Sequence, residues 1–128
     1  MAARNSTNFG FLTSPFIDLT GKNAALLQFN GYYETEYSGT KWDQRWVQIS
    51  VNNGPFVNLI QLSGDAMDTW NKYQVDLSAY AGDVVRIRFY FDTIDWILND
   101  FWGWSIDDVS VLVDEIGWTS VEMLEYKF

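Results

Sequence analysis

Oxygen-bearing side chains carry nearly all the chemistry open to this chain, because its sequence has neither His nor Cys. That absence removes imidazole general bases, Ser-His and Cys-His nucleophiles, thiolate chemistry, disulfides and the usual zinc ligands. The densest set of oxygen ligands is Asp92, Asp95, Asn99 and Asp100, all within nine residues. Calcium takes roughly six to eight oxygens and tolerates loop geometry, so such a set suits it, although the spacing is not that of an EF-hand loop. Glu36 and Asp43 flank the stretch 37–42 and offer ligands from a second segment. The adjacent Asp107 and Asp108 offer a third. Simple alternation through 104–113 leaves both faces of that strand largely apolar, so one of these two carboxylates is expected near the core edge. A buried carboxylate must be paired or bound to a metal. Arg86, Arg88 or a divalent cation would serve. The expected metal set is Asp92, Asp95, Asp107, Asp108, Glu36 and Asp43, holding a structural calcium; the competing reading is solvated loop acids and Asx turns.

Aromatic residues are the second resource: 7 Trp, 7 Tyr and 9 Phe in 128 residues. Trp46, Trp104, Phe29, Phe89, Phe91 and Tyr33 fall in alternating stretches and are expected in the core. Trp42, Trp96, Phe101 and Trp102 fall between them. Flat rings beside Asp, Asn and Gln suit sugar recognition, with CH faces stacking and carboxylates or amides taking hydroxyls. Trp96, Asn99, Trp102 and Trp42 are therefore the expected ligand-binding residues. The same rings would equally serve contact with a neighbouring domain or a second copy, or plain local packing. A catalytic reading has only carboxylates to use. Glu34, Glu36 and Asp43 are the loop-adjacent set for glycoside hydrolysis, but so small a chain builds no deep cleft, and no enzyme is expected.

Charge narrows the partners. Eight Lys and Arg against 17 Asp and Glu leave a net charge of −9. Such a surface repels phosphate backbones and anionic lipid, which argues against nucleic acid and membrane partners. No apolar run approaches the roughly 20 residues of a membrane helix, and the first residues, Met1-Ala2-Ala3-Arg4-Asn5, carry no apolar signal-peptide region.

The elements that must position these residues repeat with a period of two. Ala25, Leu27, Phe29, Tyr33 and Tyr37 alternate with Gln28, Asn30, Glu34 and Glu36; Val47, Ile49 and Val51 with Gln48 and Ser50; Val85, Ile87, Phe89 and Phe91 with Arg86, Arg88 and Asp92. Asn52-Asn53-Gly54 is a hairpin turn, and stretches 70–77 and 104–113 complete the main strands. Residues 73–82 read as strand and tight corner, and a less regular strand is expected near 118–126. Helical periodicity is lacking throughout. The expectation is one all-β domain over residues 1–128, an antiparallel two-sheet β-sandwich, with residues 114–128 forming an additional strand or tail.

One collinear series spans residues 12–113. It begins with Leu12-Thr13-Ser14-Pro15-Phe16-Ile17-Asp18-Leu19 and Ala25-Leu26-Leu27-Gln28-Phe29. It continues through Val47-Gln48-Ile49-Ser50, Val75-Asp76-Leu77-Ser78, Val85-Arg86-Ile87-Arg88-Phe89 and Gly103-Trp104-Ser105-Ile106-Asp107-Asp108-Val109. This series resembles the MAM-like and cleaved-adhesin-like jelly-roll modules of bacterial extracellular proteins. The resemblance implies jelly-roll topology, an accessory role beside a larger secreted or surface protein, and often bound calcium. Pro55-Phe56 departs from the family pattern after the Asn53-Gly54 turn, which implies a reshaped loop there. The expected function is non-catalytic extracellular binding of a polysaccharide or cell-surface glycan, or adhesion. The alternative is docking to a neighbouring protein domain, or a spacer role.

Overall fold

A computed structural model describes residues 9–34, 44–92, 103–115 and 121–126. Among these, the strands in chain order are β1 (Phe9–Thr13), β2 (Ile17–Asp18), β3 (Lys22–Glu34), β4 (Gln44–Val51) and β5 (Phe56–Leu62). They are followed by β6 (Asn71–Asp76), β7 (Val84–Asp92), β8 (Gly103–Glu115) and β9 (Val121–Tyr126). All pairings are antiparallel and build two sheets. One runs β1-β7-β4-β5, with β2 also on β7, and the other runs β6-β3-β8-β9. The chain is an all-β sandwich, as its periodicity predicts, and the expected extra strand is β9, paired along β8.

Alternation dictates the layers. Leu27 and Phe29 of β3, Val47 and Ile49 of β4, Val85, Ile87 and Phe89 of β7, and Val109, Val111 and Val113 of β8 are buried between the sheets. Burying each such side chain contributes about 1.5–3 kcal/mol. Phe29 meets Phe89 edge-on at 4.8 Å, and Phe89 meets Trp104 likewise at 5.8 Å, so the sheets are joined through aromatic rings where no disulfide exists.

Local chemistry sets the strand ends. Pro15 lacks an N–H and interrupts the edge against β7, splitting it into β1 and β2. Ser14 bridges the break: its N–H donates to the Ile87 carbonyl at 2.8 Å and its Oγ accepts the Ile87 N–H at 2.9 Å. Asn52 and Asn53 both take positive φ, 50° and 63°, the geometry a two-residue hairpin demands. At the corner after β6, Asp76 accepts the Ser78 N–H at 2.9 Å, and Gly82 turns the chain at φ 97°.

Two expectations about facing are corrected. In β8 the alternation does not run unbroken. Gln28 pairs with Ser110 but Asn30 pairs with Asp107, so Phe29 alone faces Asp108 and Val109. This bulge, with Asp108 at φ 53°, turns both Asp107 and Asp108 to solvent and returns Val109 to the core. Neither carboxylate is buried, and neither requires a cation for that reason. Trp46 also leaves the expected core set: it lies on the outer side of β4, its indole N–H donating to Gln44 at 2.9 Å, because Val47 and Ile49 take the inner side.

Candidate functional site

The outer face of the five-stranded sheet gathers aromatic rings, amides and two arginines in rows across the strands. Antiparallel partners project to the same side, so register alone defines these rows. One row is Gln61, Trp46, Tyr90 and Phe11; the next is Asn58, Gln48, Arg88 and Thr13; the third is Phe56, Ser50 and Arg86. Ser50 is the small member of its row. It is 1% exposed although it points outward, because Phe56 and Arg86 meet above it from the two neighbouring strands.

The two guanidinium groups lie among rings. Arg86 stands 4.8 Å from the Phe16 ring centre and 5.3 Å from Phe56, while Arg88 stands 4.0 Å from Phe56 and 4.7 Å from Phe11. The order Phe16, Arg86, Phe56, Arg88, Phe11 is thus a continuous cation–π series. Arg88 Nε also donates to Gln48 Oε1 at 2.9 Å, and Gln48 Nε2 donates to Asn58 Oδ1 at 2.8 Å, tying three strands together. Phe11 and Phe16 remain 54% and 57% exposed, so much of each ring faces solvent. This face was not singled out from sequence. The signal was present in the polar phase of β7, Arg86-x-Arg88, but these arginines were expected to serve Asp107 or Asp108. They cannot: β7 and β8 lie in different sheets, and Asp108 instead accepts from Asn30 Nδ2 at 3.2 Å.

The expected ligand residues Trp42, Trp96, Asn99 and Trp102, and the expected metal ligands Asp95, Glu36 and Asp43, lie outside the described residues. In the chain, 35–43 lie between β3 and β4 and 93–102 between β7 and β8; the described strands stop at the end where Gln44 pairs with Asp92 and Glu34 with Gly103. Of the remaining metal candidates, Asp92 belongs to the outer phase of β7 beside Tyr90, whereas Asp107 and Asp108 face outward from the other sheet. These three therefore share no site. Among the described residues no three acidic side chains come together in a way that would hold a metal ion. At the same end, Leu12, Phe89, Phe91, Trp104 and Ile106 line an apolar cleft of about 300 Å³ between the sheets, so Phe91 is at the margin of the core.

A separate polar cluster sits inside the sandwich. Arg45 is 1% exposed and makes a two-pronged pair with Asp65, Nη1 to Oδ2 at 2.8 Å and Nη2 to Oδ1 at 2.6 Å. Its guanidinium lies 3.6 Å from the Tyr33 ring centre, and the Tyr73 hydroxyl donates to Asp65 Oδ2 while the Tyr33 hydroxyl donates to the Asp65 carbonyl. Burial works against the Asp65 carboxylate, but Arg45 and the Tyr73 hydroxyl outweigh it and hold its pKa below the usual range. Burial, together with the neighbouring Asp65 charge, pushes the Tyr73 hydroxyl up to about 12. Through these bonds Arg45, Tyr33 and Tyr73 anchor Asp65, in the segment after β5.

Fold and face together define an antiparallel β-sandwich domain with rings, amides and two arginines gathered on an open sheet face. No family model matches the chain. Over 119 residues it is 27% identical to Bacillopeptidase F of Bacillus subtilis (strain 168), a match covering 87% of this chain and 7% of that protein. The chain therefore spans a small fraction of the length of the curated relative it matches. No helix among the described residues is long and apolar enough to cross a membrane.

Proposed function

We propose that this chain is a non-catalytic accessory module of a longer extracellular protein and that it binds a glycan on the outer face of the five-stranded sheet. The observation that carries this reading is the array of half-exposed Phe rings, Trp46 and Tyr90 interleaved with Gln48, Asn58 and two arginines. Rings take the CH faces of sugars, and amides with guanidinium groups take hydroxyls. An open sheet suits a chain ligand lying across the rows. The match to a 7% portion of a protein named as a peptidase supports an accessory place beside a larger activity. The absence of His and Cys supports a role other than catalysis.

Affinity electrophoresis through gels containing a panel of polysaccharides tests this. Wild type is expected to be retarded by at least one polymer, and Phe11→Ala/Phe16→Ala to run at the rate seen in a blank gel. Free migration of wild type through every polymer would overturn the glycan reading. Undiminished retardation of the double variant, with loss in Trp96→Ala, would move the site from the sheet face to the 93–102 connection.

A further inference from the structure

We infer that the ligand taken on this face is a carboxylated polysaccharide, a polyuronate, held by Arg86 and Arg88; this rests on the glycan reading above and names its chemical class. Charge placement is the first ground. The chain carries −9, yet two of its four arginines stand side by side on one open face. Arg45, by contrast, is spent on Asp65. Among the described residues neither Arg86 nor Arg88 makes an ion pair, so this part of the face carries two positive charges with no described acidic partner.

Their geometry is the second ground. Each guanidinium is held between two rings, Phe16 and Phe56 for Arg86, Phe56 and Phe11 for Arg88. Rings on both sides restrict a side chain that would otherwise be mobile, and a restrained guanidinium fork suits two-pronged carboxylate binding. Arg86 Nε is buried with no hydrogen-bond partner. Arg88, in contrast, commits its Nε to Gln48 and keeps its terminal nitrogens for a ligand. Being two residues apart on one strand, the two groups are about 7 Å apart along β7. Repeated carboxylates along a polymer can engage both, while sugar CH faces meet the exposed sides of Phe11 and Phe16. A sheet of rings interleaved with amides favours a sugar chain over an acidic peptide, since hydroxyl and CH partners are both provided.

Binding of the full chain to polygalacturonate, alginate, the same polymers after carboxyl reduction, a neutral β-glucan and poly-glutamate separates the outcomes. A polyuronate is expected to bind, with affinity falling at least tenfold on carboxyl reduction. Arg86→Gln and Arg88→Gln are each expected to weaken binding about tenfold, whereas Lys72→Gln, which removes one positive charge from the other sheet, leaves it unchanged. Equal binding of reduced and native polymer, or of the neutral glucan, with no effect of the arginine variants would overturn the polyuronate inference and leave the glycan reading standing. Arginine-dependent binding of poly-glutamate without any polysaccharide would overturn both. So would a failure to bind any member of the panel. Melting temperatures of the variants within about 3 °C of wild type confirm that a loss of binding is not a loss of fold.

Discussion

Replacing Asp65 by Asn tests the account of the interior most directly. The Arg45 and Asp65 side chains are 2% and 15% exposed, so their pairing is little screened by water. Removing the negative charge leaves a buried guanidinium without its counterion, which costs about 3–5 kcal/mol in such settings. Asn keeps one acceptor for Arg45, placing the expectation near 3 kcal/mol. For a domain of this size that is a fall in Tm of about 12 °C. The reasoning also fixes the sign of a second substitution. If the cost is the stranded charge, Arg45→Met/Asp65→Asn must be more stable than Asp65→Asn alone, by at least about 1 kcal/mol. Urea unfolding at pH 7 measures all three proteins. The pH dependence follows as well. Because Asp65 has a lowered pKa in the fold, its contribution is complete above the unfolded value near 3.8 and is lost as pH falls below it. Asp65→Asn should lose that part of the acid sensitivity. An Asp65→Asn protein within about 0.5 kcal/mol of wild type, or a double variant no better than the single, would refute the reasoning.

Four further outcomes are expected. Gly31→Ala should cost about 1–3 kcal/mol in urea unfolding, since the new Cβ would lie 2.9 Å from Tyr73 Cε2 and 3.2 Å from Trp104 Nε1, and the Tyr73 ring is pinned against Phe29 at 5.0 Å. In the hairpin, Asn53→Gly should be neutral or stabilising because it relieves φ 63°. Asn52→Ala should cost about 1–2 kcal/mol by losing hydrogen bonds to Asp83 and the Val84 N–H, as differential scanning calorimetry would show. Finally, Tyr73 is held protonated up to about pH 12, so its contribution is complete below pH 10 and is lost as pH rises toward 12. Tyr73→Phe should therefore lessen the fall in Tm across that alkaline interval.

Much of the architecture was legible because strand alternation depends only on local order. The alternation of Leu27 and Phe29 in β3, Val47 and Ile49 in β4, and Val85, Ile87 and Phe89 in β7 matched the sequence, and Asn52-Asn53-Gly54 marked its turn because few residues accept two successive positive φ angles. The error in β8 has a physical cause: a bulge inserts one residue, and nothing local in Ile106-Asp107-Asp108-Val109 says where phase will slip until Phe29 lies opposite. Trp46 was misplaced for a related reason. Ring size suggested burial, but the side of the strand was already taken by Val47 and Ile49.

By itself, then, the sequence determined the class: a period of two throughout, an aromatic core without disulfides, and no imidazole or thiol chemistry. Only the tertiary structure decided the partners of each arginine. Arg45 and Asp65 are 20 residues apart, and Phe16, Phe56 and Arg86 come from three segments joined solely by strand order. Pairing between distant strands is set by how two sheets jointly bury their apolar faces, a condition of the whole chain that no local spacing encodes. That is why the acids drew notice in the sequence, while the candidate binding surface emerged around the arginines.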